Sequence, residues 1–399
     1  MVSETMYALG SKRSCIRELF EYGLRQAKVV GRENVYDFSI GNPSIPAPPE
    51  VNEAFVSIVQ ERDSLSVHGY TTAGGSDEAR AAVAADLNAR YDARIKPQNL
   101  FLTCGAAPAL IAAIRALAVE GAEIMAIAPY FAEYRPFVEA NGPKFVAVPA
   151  DREAFQIRFD ELEARITSHT QGIIVNSPCN PSGVVYTRET LERLGEVLSR
   201  KSREYGHPIY ILADEPYREL SYDGVVPPFI PNIYPNTIVC YSYSKSLSLP
   251  GERIGYVLVP GSVEEHGKVY ACVAGAGRML GYVNAPSLFQ RVAAQCCGQT
   301  ADTSVYARNC RLLTDALREF GYHVAEPGGT FYLFPRCLEP DAAAFCKRAQ
   351  GLDLLVVPSD TFGCSGHFRV SFCVPTERIE RALPRFKQLA ESYGSICNS

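Results

Sequence analysis

The sequence predicts an α/β protein: a mostly parallel central sheet covered by helices on both faces, followed by a smaller unit of mixed strand and helix. Two observations carry this. Between about residues 95 and 260, apolar runs of strand length alternate with helical stretches, and strands joined by helical crossovers pair in parallel. After a mainly helical stretch, 287–320, strands and a last helix return. The chain of 399 residues is also too long for one small core and suggests two or three.

The elements follow in order. FLTCGA (101–106) reads as strand and turn, and PALIAAIRAL (108–117) as helix. EIMAIAP (123–129), KFVAVPA (144–150) and GIIVNSP (172–178) read as strands. Leu191, Leu194 and Leu198 share one helical face, with Thr187 as the predicted N-cap and an end near Gly206. PIYILADEPY (208–217), TIVCYSYS (237–244) and RIGYVLVP (253–260) are the next strands. TFYLFP, LLVVP and HFRVSF, then a helix after Thr376, form the smaller unit. In sheets of this kind ligands collect outside the carboxyl ends of the strands. Gly105, Asn180, Asp214, Ser242 and Lys245 all stand where an apolar strand stops, so they are expected to converge on one crevice.

Composition narrows the function. Apolar residues make up 47% and charged residues 21%, the balance of a soluble globular enzyme or binding protein. The net charge of −5 argues against a nucleic-acid binder, which needs a basic face. The 13 cysteines run from Cys15 to Cys397 without a CxxC pair, so no zinc or redox motif is predicted. Several (Cys104, Cys240, Cys272, Cys373) sit in apolar runs and read as packed free thiols of a cytoplasmic protein. The N-terminal MVSETMYALGSKR has no apolar signal core, and Pro, Asn and Ser interrupt the longest uncharged stretches, so neither secretion nor a membrane span is expected.

Five short motifs carry the chemistry. In TCGAAPAL a strand ends at a small-residue turn and Pro108 enters the first turn of a helix; free N–H groups of Gly105, Ala106 and Ala107 suit a phosphate, although a plain turn has the same signature. In DEPY, Asp214 ends the apolar strand YILAD; it must be paired, with a protonated ring nitrogen, as a helix N-cap or in an ion pair. In SPCNPSG, Asn180 lies between two prolines, where its amide serves either a turn or a ligand oxygen. In SYSKSLSLPGERIGY, a lysine in a dry pocket would lose basicity and become a nucleophilic amine, with Ser242, Ser244 and Arg253 holding an anion beside it. In HFRVSF, Arg369 lies in an apolar strand and needs a ligand carboxylate or phosphate, or a structural salt bridge.

Together the order and spacing of these motifs resemble the fold-type-I pyridoxal-phosphate enzymes, specifically the class I/II aminotransferases of the aspartate aminotransferase family. SxSK…PGxRxG is the most specific element, occurring with NPSG and DxxY along nearly the whole chain. The resemblance implies a large cofactor domain at 46–286 and a small α+β domain built from the N-terminal segment 1–45 and the C-terminal 287–399. It implies pyridoxal 5'-phosphate as cofactor and Lys245 as the Schiff-base lysine and proton carrier. Asp214 would be the partner of the pyridinium nitrogen, and Tyr217 and Asn180 donors to the ring's phenolate oxygen. Gly105, Ala106, Ala107, Ser242 and Arg253 would form the phosphate cup, and Phe131 would stack on the ring. Arg369 would grip the substrate α-carboxylate beside Gly41, Asn42 and Asn180. Tyr70 would reach the cofactor phosphate of a neighbouring subunit, making the enzyme a homodimer.

Family members often read NPxNPTG where this chain reads NSPCNPSG; Ser182 serves the turn as threonine would. Members specific for acidic substrates carry a further arginine; no motif identifies one here, and Arg278, in GAGRMLGY, reads more readily as a surface arginine, so aspartate specificity does not follow from the resemblance. The implied reaction is amino-group transfer between an L-amino acid and a 2-oxo acid such as 2-oxoglutarate. A β-eliminating C–S lyase on the same fold is the alternative, although those relatives tend to carry His or Trp at the place of Tyr217. An aminotransferase-like sensing domain of a transcription regulator is disfavoured, because IGNP begins by residue 40 and the net charge is negative.

Overall fold

The structure, a computed structural model, describes residues 2–11, 15–149 and 151–394. Ala150, at the end of one predicted strand, and Cys397 lie outside them. Seven strands form the main sheet, in the order Leu100–Thr103, Gly255–Leu258, Thr237–Ser242, Tyr210–Asp214, Thr170–Asn176, Glu123–Ile127, Lys144–Val148. Six run in parallel. The exception is Gly255–Leu258, which is antiparallel to both of its neighbours. The four strands at the centre of chemistry, Leu100–Thr103, Tyr210–Asp214, Thr237–Ser242 and Gly255–Leu258, are buried along their whole length. Such strands read as continuous apolar runs because helices cover both faces.

Each face of the sheet has its own apolar cluster. One gathers Leu102, Met125, Ile173, Ile211 and Val239 with helices Pro49–Glu61 and Asp77–Tyr91. The other gathers Ile124, Ile174, Leu212, Ile238 and Val257 with helices Ala106–Ala116 and His266–Met279. Alternate residues of a strand therefore serve opposite faces, as the pleat requires. The helix foreseen after Thr187 is Arg188–Tyr205; the Thr187 hydroxyl accepts from the Thr190 N–H at 3.2 Å, and Gly206 ends the helix in the left-handed region. The stretch TIVCYSYS is not strand throughout: after Ser242 the chain turns into the short helix Tyr243–Ser246, which carries Lys245. Ser242 caps that helix by accepting from the Ser244 N–H at 3.1 Å.

A third apolar cluster draws on both ends of the chain. Tyr36 and Phe38 pack with Phe345, Phe368, Phe372 and Phe386. Tyr36–Asp37 pairs in parallel with Leu354–Leu355, while Phe368–Ser371 pairs antiparallel with Tyr332–Leu333 and Val357–Pro358. The predicted helix after Thr376 is Thr376–Glu391. The helix Ser287–Gln295, which the resemblance assigns to the small unit, instead places Val292 and Ala293 in the core of the large sheet. Cys240 and Cys373 are buried thiols as expected, but Cys104 is half-buried and Cys272 exposed. Among the described residues no helix is long and apolar enough to cross a membrane.

Phe386 is fully buried, with its ring 5.8 Å from Phe38, so it joins the last helix to the N-terminal segment. Phe386→Ala is expected to cost about 3–5 kcal/mol through lost contacts and the cavity left behind. Chemical denaturation of both proteins measures it.

Candidate active site

A cavity of about 330 Å³ opens where the carboxyl ends of the main strands meet the small unit. Its wall contains Gly41, Ala106, Ala107, Phe131, Asn180, Asp214, Tyr217, Ser242, Lys245, Arg253 and Arg369. These residues span almost the whole chain, and the sheet register gathers them. Asn176 pairs with Asp214 and Asp214 with Cys240 across adjacent strand ends, while Gly255 pairs with both Thr103 and Ser242. A larger groove of about 1030 Å³ lies elsewhere, between residues 184–189, 222–229 and 326–328, and holds none of the predicted site residues.

Lys245 donates to the Gly41 carbonyl at 2.8 Å, with its ammonium 5.3 Å from the centre of the Phe331 ring. Burial lowers its pKa to about 8, and Arg369 and Arg253 add repulsion. A lysine so placed has a substantial neutral fraction near neutral pH and is a competent nucleophile.

Asp214 is 5% exposed and has no cationic partner among the described residues, so it is not the ion pair that the strand end alone allowed. Its Oδ2 accepts from the Tyr134 hydroxyl at 2.5 Å, and its backbone carbonyl accepts from the Asn176 amide at 2.7 Å. Oδ1 is buried without a partner. Burial raises the Asp214 pKa to about 7, the Tyr134 hydrogen bond opposes this, and Glu215 beside it adds to it. The neighbouring Glu215 pairs with Arg218, whose Nε donates to it at 2.6 Å, so that cation is already engaged.

The anion cradle is built from backbone and glycine. Helix Ala106–Ala116 starts at Gly105 with no side chain capping its first N–H groups. Gly105 has φ +90°, a conformation that residues with a side chain rarely adopt, and a Cβ there would sit 2.7 Å from the Arg253 guanidinium and displace it. Arg253 itself adopts φ +53°, and its Nη1 donates to the Pro250 carbonyl at 2.9 Å and lies 3.4 Å from Ser244 Oγ.

Arg369 lies in strand Phe368–Ser371, 2% exposed. Its guanidinium donates to the Ser39 carbonyl at 2.7 Å and to Asn180 Oδ1 at 3.2 Å, and it lies over the rings of Tyr332 and Phe362. Nε has no partner, and among the described residues no carboxylate pairs with it, so the structural salt bridge is not its role. The bond from Arg369 occupies the Asn180 carbonyl oxygen and leaves the Asn180 NH₂ as a donor.

Four predicted residues lie apart. Gly105 is buried just behind the cavity wall. Asn42 is exposed beside Gly41 and does not line the cavity. Tyr70 is 87% exposed and outside the cavity of its own chain. Arg278 is exposed at the end of helix His266–Met279 and is not in the wall either. Sequence reasoning missed four others. Ile16 and Asn176 line the cavity, and Tyr134 holds Asp214. Tyr332 packs on Arg369, lies 3.4 Å from the Tyr217 hydroxyl, and meets Gly41 so closely that a Cβ there would collide with its hydroxyl. The strand-end position of Asn176 was a usable signal; Tyr134 and Tyr332 had none beyond lying near PYF and in TFYLF.

The wall therefore offers a nucleophilic amine, a buried carboxylate with one free oxygen, an uncapped helix start with an arginine, and a second arginine without an acid. A family model described as aminotransferase class I and II matches residues 33–386. The chain belongs to this family. It is thus an enzyme, a transferase, of a family that uses pyridoxal phosphate. An amino transferase from Eubacterium rectale, known from its crystal structure, is 54% identical and superposes with a TM-score of 0.97, the match covering 98% of this chain and 99% of that one. The aspartate aminotransferase of Pyrococcus abyssi is 27% identical over 94% of this chain and 95% of its own. Aromatic-amino-acid aminotransferase 2 of Thermococcus litoralis is 28% identical over 94% and 95%. The site fits the family's cofactor: the unpartnered Asp214 Oδ1 suits a ring N–H, and the Gly105 cradle suits a phosphate.

The buried Asp214 predicts a pH signature in the cofactor-free aminotransferase. Its carboxyl stays protonated to about 7 when folded against an ordinary 3.8, so stability falls as pH rises between those values. The groups facing it are Glu215, Tyr134, Tyr217, Cys179 and Cys240. Asp214→Asn should remove this slope, gaining on the order of 4 kcal/mol relative to the parent between pH 4 and 7. Denaturant titrations of both proteins across that range measure it.

Proposed function

We propose that the protein is a pyridoxal-phosphate-dependent aminotransferase that moves an amino group between an L-amino acid and a 2-oxo acid, with 2-oxoglutarate the first acceptor to test. The observation that carries this reading is the meeting of Lys245, Asp214 and Arg369 in one cavity, none of them in an ion pair among the described residues, with Asp214 Oδ1 and Arg369 Nε left without a hydrogen-bond partner there. When bound, the cofactor supplies a protonated ring that withdraws the electrons freed at the substrate Cα. Lys245 would anchor the cofactor through its amine and would carry the proton to and from the substrate Cα. Asp214 Oδ1 would accept from the ring nitrogen. Asn180 and Tyr217 would donate to the ring oxygen, and Phe131 would cover one ring face. Ala106, Ala107, Ser242 and Arg253, with Gly105, would hold the phosphate.

Arg369 receives the substrate α-carboxylate through two parallel N–H groups, its unpartnered Nε among them. We assign residues 46–286 to a cofactor domain and 1–45 with 287–399 to a small domain, with Ser287–Gln295 docked on the former. We further assign a homodimer in which the exposed Tyr70 reaches the phosphate held by the second subunit. The free thiols suit a reducing cytoplasm.

An absorbance titration of the loaded protein with single amino acids tests the reaction. A donor should bleach the yellow band without any oxo acid, and 2-oxoglutarate should restore it. Persistent yellow with pyruvate and ammonia released would instead identify a β-eliminating lyase. Lys245→Ala should lose all multiple turnover while the phosphate cradle still binds cofactor; sustained turnover in that variant would overturn the assignment.

A further inference from the structure

Tyr134 sits on the helix Tyr134–Glu139, 1% exposed, three residues beyond Phe131 in a T-shaped contact with its ring. Its hydroxyl donates to Asp214 Oδ2 at 2.5 Å. The other carboxylate oxygen, Oδ1, is buried and unpartnered, and Asp214 lines the cavity. A hydrogen bond donated to a carboxylate favours its ionised form, and it also fixes the rotation of the carboxyl group about Cβ–Cγ.

We propose that Tyr134 is a positioning residue for the reaction: by donating to Oδ2 it aims Oδ1 at the cofactor's ring nitrogen and weakens Asp214 as a base, which favours the proton shared across that contact on the nitrogen. This rests on reading Asp214 as the ring nitrogen's partner. The only atom exchanged is the shared proton. With the Tyr134 bond, the carboxylate is the weaker base and the nitrogen keeps the proton. Without it, Asp214 stands in the same dry site with no compensating donor, its basicity rises, and the proton moves to the carboxyl. The ring then loses the positive charge that makes it an electron sink.

Tyr134 can play this part because its own proton is held firmly. Burial, reinforced by the negative Asp214, pushes the phenol well above its ordinary value. The other groups facing the carboxylate do not substitute for it: Glu215 is engaged by Arg218, Cys179 and Cys240 are buried thiols, and the Tyr217 hydroxyl is directed to Tyr332.

The test uses the full-length protein loaded with pyridoxal phosphate carrying nitrogen-15 in the ring. Tyr134→Phe removes the hydroxyl and keeps the ring packed on Phe131. The nitrogen resonance is expected at the protonated position in the parent and displaced toward the unprotonated position in Tyr134→Phe. In the cofactor-free protein, the Asp214 carboxyl midpoint, followed by carbon-13 labelling, should rise by about one unit or more. Replacing Tyr134 with 3-fluorotyrosine, a stronger donor of nearly the same shape, should move that midpoint the opposite way; it serves even where the phenylalanine variant does not fold. Nitrogen and carboxyl signals unchanged in these variants would reduce Tyr134 to a packing role and overturn the proposal. Failure of the parent protein to take up cofactor would instead overturn the functional reading, while the carboxyl titration still decides whether Tyr134 sets the state of Asp214.

Discussion

Asp214 ends a strand whose five residues are all buried, so its carboxylate meets almost no water and must be satisfied by what surrounds it. Keeping an ionised carboxylate in such a place costs several kcal/mol unless donors compensate. One oxygen has Tyr134; the other is buried without a partner among the described residues. This unfinished pairing organises its neighbours. Asn176 ties the strand end down through the Asp214 backbone carbonyl, and the same Asn176 side chain accepts from the Asn180 N–H at 2.7 Å. Asn180 in turn accepts from Arg369. A chain of hydrogen bonds thus runs from the strand end that carries the buried acid to Arg369.

The same chain joins the two units. Arg369 belongs to a small-unit strand, yet it bonds Asn180 from the large sheet and Ser39 from the N-terminal segment. Conversely, Tyr217 and Leu220 follow directly on the large-sheet strand and pack within the small unit's core. The cavity therefore lies on a seam that both cores help to close. Its apolar lining, including Ile16, Leu110, Phe131 and Phe137, keeps it dry enough for a lysine to lose basicity.

Much of this was legible in the sequence because strand ends and motifs coincide. A parallel sheet delivers every strand's carboxyl end to one edge, so polar residues interrupting apolar runs pointed to Asp214, Asn180, Ser242 and Lys245 before any coordinates. Helix Arg188–Tyr205 was readable from its leucines, Thr187 and Gly206, each a local signal. What stayed hidden was what depends on two distant segments meeting. Tyr134 looks like any tyrosine in an aromatic stretch until the sheet carries Asp214 to it, and Tyr332 matters only through its approach to Gly41 and Arg369. Asn42 and Tyr70 show the reverse: a motif names a position, but the direction of the loop decides whether the side chain reaches the cavity of its own chain. The helix Ser287–Gln295 joined the large core because an apolar helical face does not say which sheet it will cover.

The reversed strand Gly255–Leu258 has a consequence for how the cavity is gauged. Because it runs against its neighbours, its beginning stands level with their ends, and Arg253 enters the cavity from the start of a strand. Lys245 and Arg253 are therefore the two arms of one tight return of the chain, and the residues between them act as a spacer. The separation between the Lys245 amine and the Arg253 guanidinium is set by loop length, a property that substitutions leave intact and that a single inserted or deleted residue between 247 and 251 would change at once.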